Sequence, residues 1–383
     1  MSITMPQGFV AAGVAAGIKE TGAPDLALIV NQGPSRAAAG VFTSNRVVAA
    51  PVTWSRQALA DGRISAVILN SGGANACTGP AGRADTERTA AEVSALLDIP
   101  ADEVAVCSTG LIGTRLPMEH VLAGAERAAA ALSTAGGEDA AIAIMTTDAV
   151  HKTAVVQADG WSVVGMAKGA GMLAPGLATM LVVLTTDADV PAATLDAVLR
   201  DAVAVTFDRI DSDGCMSTND TVLLLSSGAS TVRPADRVFA QAVREVCADL
   251  ARRLIADAEG ATKEIRIDVV GAASEQDAVD VGRSIARNNL FKCALYGEDP
   301  NWGRVLSAIG TTQAQFDPDL LNVAINDVWV CKGGTIGEDR SGVDLTGRDV
   351  VVTADLSAGS ARATIWTNDL SVTYVHENSA YAS

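Results

Sequence analysis

Short apolar runs bounded by turn residues recur along the chain and predict strands over 26–30, 66–69, 104–106, 153–156, 162–164, 221–225, 265–270, 321–325 and 350–354. Apolar residues spaced three and four apart predict helices over 83–97, 117–132, 192–205, 235–258 and 274–288. Pro117 suits a first helical turn, Pro234 precedes the longest helix, and Gly260 lies beyond its end as a C-cap. The stretch 370–375 reads as strand-like. Strands and helices mix without the regular βαβ rhythm of a doubly wound sheet. The pattern therefore predicts a layered α/β fold, an α/β/β/α-type sandwich with mixed, largely antiparallel sheets inside helices.

Length and charge narrow the classes. The 383 residues, 49% hydrophobic, can bury a large core. A formal net charge of −17 argues against a nucleic-acid partner, whose phosphates attract basic patches, and fits a cytoplasmic protein. The apolar runs fall far short of the roughly 20 residues a bilayer span needs, so no membrane association is expected. The Ala/Gly/Val stretch near the start has no basic residue before Lys19 and is not read as a signal peptide. The six cysteines are scattered without CxxC spacing, so neither a disulfide framework nor a metal site is expected. With only His120, His151 and His376 present, any histidine-based mechanism must use one of these three.

One stretch is harder to read as ordinary. Residues 168–181 run KGAGMLAPGLATML, a glycine-rich, proline-bent loop leading into an apolar strand with Thr179 at the seam. A turn before a core strand would explain it; so would a nucleophile held at a strand start. It fits neither GxGxxG nor a phosphate loop. Other small or polar clusters sit beside apolar runs: 70–79 (NSGGANACTG), 107–113 (CSTGLIG), Thr146-Thr147-Asp148, 208–214, 259–263 and 298–304. The Ser-Thr-Gly of 108–110 has the groups to aim a hydroxyl and a backbone N–H at one point, as an oxyanion hole requires. Each cluster by itself reads as an ordinary solvated loop.

Taken together, and in order, these segments resemble one family. Residues 70–79, 108–113, 145–148, 168–181, 211–221, 259–263, 299–304 and 377–381 are similar to the ornithine acetyltransferases, the bifunctional glutamate N-acetyltransferases of arginine biosynthesis. The chain departs from the usual family pattern at Gly73, Ala170, Gly176 and Cys215. The resemblance implies a self-cleaving enzyme with an N-terminal threonine nucleophile, cut between Ala178 and Thr179 into an α subunit (1–178) and a β subunit (179–383).

It also implies the chemistry. Thr179 would carry the acetyl group from N2-acetylornithine to glutamate by double displacement. Thr109 and Gly110 would form the oxyanion hole, and Thr146, Lys168, Thr179, Glu259, Asn378 and Ser383 would bind substrate. Thr146 and Thr147 are adjacent, so only one would face the site from a strand, and Thr146 is favoured. No resident cofactor and no metal are implied, acetyl-CoA being a possible co-substrate, and the two chains would assemble as an α2β2 heterotetramer. Two other classes remain open: a self-cleaving amidase or aminopeptidase of related architecture, and a binding protein whose Thr179 lies in an ordinary turn.

Overall fold

The computed structural model describes residues 2–174 and 180–380. The chain divides into two compact units. The first, residues 1–208 and 215–254, contains strands β1 (Phe9–Val14), β2 (Leu26–Asn31), β3 (Ala38–Phe42), β4 (Ala66–Ser71), β5 (Val104–Thr109), β6 (Lys152–Ala158), β7 (Trp161–Lys168), β8 (Leu181–Thr186) and β9 (Thr221–Ser226). Its helices are α1 (Ala50–Ala58), α2 (Gly79–Leu97), α3 (Met118–Ala130), α4 (Gly137–Ala143), α5 (Ala192–Val205) and α6 (Asp236–Ala256), whose last two residues fall in the second unit.

Among the described residues, these strands form a sheet in the order β1-β2-β4-β5 and another in the order β3-β9-β8-β7-β6. Parallel pairing joins β4 to β5 and β8 to β9, and the other pairings are antiparallel. Every residue of β2, β4, β8 and β9 is buried, as continuous apolar strands covered on both faces must be. Ile29, Val67 and Leu69 of one sheet share a core with Met166, Leu181, Val183 and Leu223 of the other. Behind the first sheet, Leu28, Ile68 and Val106 meet Val93 of α2 and Val121 and Ala125 of α3. Behind the second, Gly165 lies so close to Val246 and Leu250 of α6 that an added Cβ would stand 2.7 Å from the Leu250 side chain. The unit is thus helices, sheet, sheet, helix, the layering expected.

The second unit, residues 209–214 and 255–382, holds β10 (Glu264–Ala272), α7 (Glu275–Ala286), α8 (Asn289–Tyr296), α9 (Trp302–Ile309), β11 (Asn322–Ile325), β12 (Val328–Lys332), β13 (Thr335–Ile336), β14 (Asp349–Asp355), β15 (Ala361–Asn368) and α10 (Val372–Ala380). Its sheet runs β13-β12-β11-β14-β10-β15, with β10 and β14 parallel. Local signals start its helices: the side chains of Ser274, Asn288 and Asn301 accept from the amides of Asp277, Phe291 and Arg304. Three expectations need correcting. The strand-like 370–375 is instead the start of α10, where Ser371 Oγ accepts the Tyr374 amide at 2.9 Å. Gly260 does not cap α6, which ends at Ala256. The 298–304 turn passes into α9 at Trp302.

The cut expected between 178 and 179 does not follow these units, since β7 and β8 on either side of it are neighbours in one sheet. Among the described residues no helix is long and apolar enough to cross a membrane.

Candidate active site

Thr109 is the last residue of β5 and is buried; Gly110 follows it at a φ of 129°, a region open to glycine. The neighbouring strand β4 ends in register, Ser71 opposite Thr109, and turns into Gly72-Gly73. The amides of Gly72 and Gly73 both donate to the Thr109 carbonyl, at 2.9 and 3.0 Å. A Cβ on Gly110 would lie 2.5 Å from the Gly73 nitrogen, so the two turns interlock only with glycine there. Ser108 Oγ donates to Asn70 Oδ1 at 2.6 Å, and Asn70 Nδ2 to the Gly73 carbonyl at 3.0 Å, lacing the same two strand ends. The segments 70–79 and 107–113, separate in sequence, are thus one structure.

Lys168 ends β7 and is 1% exposed. Its Nζ donates to Thr109 Oγ1 at 3.2 Å. An ammonium only donates, so the Thr109 hydroxyl is the acceptor and keeps its own proton for another oxygen. Asp148 balances the buried charge. Its Oδ1 accepts from Lys152 Nζ and from the Gly169 amide, both at 2.6 Å, and its Oδ2 from the Thr146 amide at 2.9 Å. Burial works to raise the Asp148 carboxyl, but the ammoniums of Lys168 and Lys152 outweigh it and hold it at about 2. A carboxylate this firmly ionised holds Lys152 and the backbone on each side by hydrogen bonds and acts on Lys168 through its charge.

Of the sequence-predicted residues, the structure brings Thr109, Gly110 and Lys168 together, and ties the Thr146 backbone to them through Asp148. Thr146 and Thr147 lie on bends and not on a strand, so strand alternation does not choose between them. Burial does: Thr146 is half-buried and Thr147 exposed. Ala178, Thr179 and Ser383 lie outside the described residues. The residue after the expected nucleophile is described, and the Met180 amide donates to Asp220 Oδ1 at 3.0 Å.

Glu259 and Asn378 belong to the second unit. Glu259 is buried on the turn it shares with Gly260, and Asn378 is exposed on α10. Gly260, at a φ of 60°, packs against α10: a Cβ there would stand 2.3 Å from the Tyr374 nitrogen. Ser371 Oγ donates to the Gly260 carbonyl at 2.6 Å, so the Glu259 turn and the helix carrying Asn378 are held together.

Sequence reasoning left Asp148, Asn219 and Asp220 without roles, although each lies in a segment it noticed. Their signal is a carboxylate or amide beside a fully apolar run, which becomes informative only when the residue proves buried. The histidines take no part in this cluster: His120 Nδ1 is 2.6 Å from the Gly17 carbonyl, His151 is 3.8 Å from Glu138, and His376 lies on α10.

Known proteins resemble the whole chain. The profile of the ArgJ family matches residues 10–383. The arginine biosynthesis bifunctional protein ArgJ of Streptomyces avermitilis is 70% identical over 383 residues, all of both chains. The protein of the same name from Thermobifida fusca is 63% identical, again over the full length of both. A solved structure, ornithine acetyltransferase from Mycobacterium tuberculosis complexed with ornithine, is 60% identical over 45% of this chain and 94% of that one, with a TM-score of 0.45. The Thr-Gly turn, the buried lysine and the glycine-rich approach to position 179 all fall inside a match that runs through both units, and the chain belongs to the ArgJ family.

Proposed function

We propose that this chain transfers the acetyl group of N2-acetylornithine to glutamate through an acetyl ester on Thr179, after cutting itself between Ala178 and Thr179. Its relatives are named bifunctional proteins of arginine biosynthesis, and acetyl-CoA is the second acetyl donor that such a name fits. The observation that carries the reading is the buried contact of Lys168 with the Thr109 hydroxyl beside Gly110. A hydroxyl whose acceptor side is taken by an ammonium is left to donate, and with the Gly110 N–H it supplies two donors for an oxyanion.

The steps balance without a cofactor. In self-cleavage the Thr179 hydroxyl attacks the Ala178 carbonyl, the peptide C–N bond breaks as an ester forms, and water hydrolyses the ester. The products are a carboxylate on Ala178 and a free α-amine on Thr179. Such an amine has an ordinary pKa of about 7.7–8.0, so a useful neutral fraction exists near pH 7. In turnover that amine takes the hydroxyl proton while Oγ attacks the acetyl carbonyl of N2-acetylornithine. Thr109 and Gly110 hold the oxyanion; the C–N bond breaks and ornithine leaves with the proton. The α-amine of glutamate then attacks the ester, and N-acetylglutamate leaves as the Thr179 hydroxyl is restored. Lys168 suits a substrate carboxylate and Glu259 the δ-ammonium of ornithine, with Thr146, Asn378 and Ser383 completing the binding set. The cut chains assemble as an α2β2 heterotetramer in the cytoplasm.

Intact-mass measurement of the wild type and of Thr179→Ala tests the reading. Two pieces are expected for the wild type, the second beginning at Thr179, and one uncut, inactive chain for the variant. An uncut wild type, or a variant that still transfers acetyl groups, overturns it. The same assay run without glutamate separates transfer to an amine from transfer to water.

A further inference from the structure

Immediately before β9 and into its first residue, positions 217–221 read Ser-Thr-Asn-Asp-Thr, and all five are buried. Buried polar groups need partners, and most of those in this run have them among the described residues, Asp220 Oδ2 being the exception among its side-chain atoms. Here the partners lie far apart in sequence. Asn219 Nδ2 donates to the carbonyls of Ala74 and Ser108, at 2.6 and 2.9 Å. Its Oδ1 accepts from Thr218 Oγ1 at 2.6 Å, and its amide donates to Ser217 Oγ at 3.1 Å, which fix the side chain. Asp220 Oδ1 accepts the Met180 amide at 3.0 Å, and the next residue, Thr221, donates its amide to the Met180 carbonyl at 3.2 Å. The Asp220 carbonyl is in turn held by the Thr43 amide at 3.0 Å.

The positions of those partners matter. Ser108 precedes Thr109, Ala74 follows the Gly72-Gly73 turn that grips the Thr109 carbonyl, and Met180 follows Thr179. We propose that Asn219 and Asp220 are positioning residues that together set the placement of the Thr179 nucleophile relative to the Thr109–Gly110 oxyanion donors. This rests on the reading of Thr179 and Thr109 given above.

The need for such a device follows from topology. Thr109 ends a strand of one sheet and Met180 leads into a strand of the other, so no ladder of backbone hydrogen bonds sets one against the other. Displacement by about 1 Å can cost a factor of about 10² in rate. Two adjacent side chains, one holding each arm, supply the missing tie. The bond each makes also says which substitutes will serve. Asp220 acts as an acceptor, and burial pushes its carboxyl well above the ordinary range. An uncharged asparagine oxygen can therefore take its place. Asn219 acts as a double donor to two carbonyl oxygens, and an aspartate of the same size there would meet them with oxygen.

The experiment measures kcat and KM for acetyl transfer, the extent of self-cleavage and the melting temperature for Asn219→Ala, Asn219→Asp, Asp220→Ala and Asp220→Asn. Asn219→Ala and Asp220→Ala are expected to lower kcat by about 10–100-fold with KM changed less than about threefold, and to slow cleavage. Asp220→Asn is expected to recover most of the Asp220→Ala loss, whereas Asn219→Asp recovers nothing. Wild-type kcat in either alanine variant overturns the proposal, as does an Asp220→Asn variant no better than Asp220→Ala. Should an alanine variant fail to fold, the two isosteric variants decide: a folded Asn219→Asp at wild-type rate refutes the tie. An uncut wild type with an active Thr179→Ala would instead bring down the nucleophile reading, and this inference with it. A cut wild type and a dead Thr179→Ala, beside an unimpaired Asn219→Ala, would remove the positioning role alone.

Discussion

Each compact unit buries lysines among polar groups, and the nests around Lys168 and Lys292 are built differently. Lys168 in the first unit is 1% exposed and Lys292 in the second 5% exposed. Lys292 Nζ donates to the Ser212 carbonyl, to Thr367 Oγ1 at 3.2 Å and to Asn368 Oδ1 at 3.4 Å. Three neutral acceptors match its three protons, and they join α8 to the end of β15 and to the 209–214 segment. Burial pulls its ammonium down to about 8, with only partial relief from Asp213, Asp211 and Asp369. Lys168 has one carboxylate held at about 2 within electrostatic reach, shared with Lys152, and donates to a hydroxyl. The difference teaches that a buried cation is not itself a sign of catalysis. One lysine clamps three neutral acceptors together; the other shares a carboxylate with a second ammonium and donates to the Thr109 hydroxyl.

The most damaging test of that contrast is Lys168→Met. It removes the donor that orients Thr109 and leaves Asp148 with one ammonium fewer, so turnover should fall by at least about 10³. Thr109→Ala should fall by about 10²–10³ in kcat with KM less affected. If Lys168 acts largely through that hydroxyl, the double variant should be little worse than Lys168→Met alone, since coupled residues are not additive. Steady-state kinetics giving the full product of the two losses would break the idea of one orienting contact.

The sequence made the second sheet's inner strands and the α5 helix readable for physical reasons. The 181–184 and 221–225 runs are apolar at every position because both faces are covered, and Pro191 sets the start of α5. Segments made of small residues escaped. β1 reads FVAAGV and β3 reads AAGVF, with too little apolar–polar contrast to show a period. Gly40 in β3 is explained only by its neighbours, since a Cβ there would stand 2.7 Å from Leu59. The tail misled in the opposite way: Val372, Thr373, Tyr374 and Val375 favour strands, but Ser371 caps the turn and a helix forms. For the site, resemblance supplied Thr109, Gly110 and Lys168, while the partners that hold them stayed hidden. Asp148, Asn219 and Asp220 act through contacts between distant segments, and spacing along the chain carries no trace of these.

A smaller effect is expected at Asp148. Its carboxyl is held at about 2, below the ordinary 3.8, despite burial, because Lys168 and Lys152 favour the ionised form. A depressed carboxylate stabilises the fold above its unfolded pKa and loses that contribution as pH falls through its folded one. The window therefore runs from about 3.8 down to about 2, and the amount is about 2 kcal/mol. Denaturant titrations at pH 5.5 and at lower pH should show the wild type losing about that much more than Asp148→Asn. Equal acid losses would mean that the ion network does not couple to folding.

The smallest effect on turnover is expected at Lys292, and it completes the contrast. Its folded pKa of about 8 lies below the ordinary 10.5 because burial disfavours the charge. Between these values the unfolded chain keeps the proton that the folded chain has lost. Unfolding then takes up a proton, so this group's contribution to stability rises with pH across the window instead of falling. The slope it can add is at most about 1.4 kcal/mol per pH unit. Lys292→Met removes the titrating group, so the wild type minus the variant should show that rise between about pH 8 and 10.5, whatever other lysines and thiols do in both. Turnover near neutral pH should stay within about twofold of wild type, because the clamp touches no reacting group and surviving packing carries most of its role. A Lys292→Met enzyme as crippled as Lys168→Met, while melting at the wild-type temperature, would show that both nests serve the chemistry and that counting neutral acceptors does not separate a clamp from an active lysine.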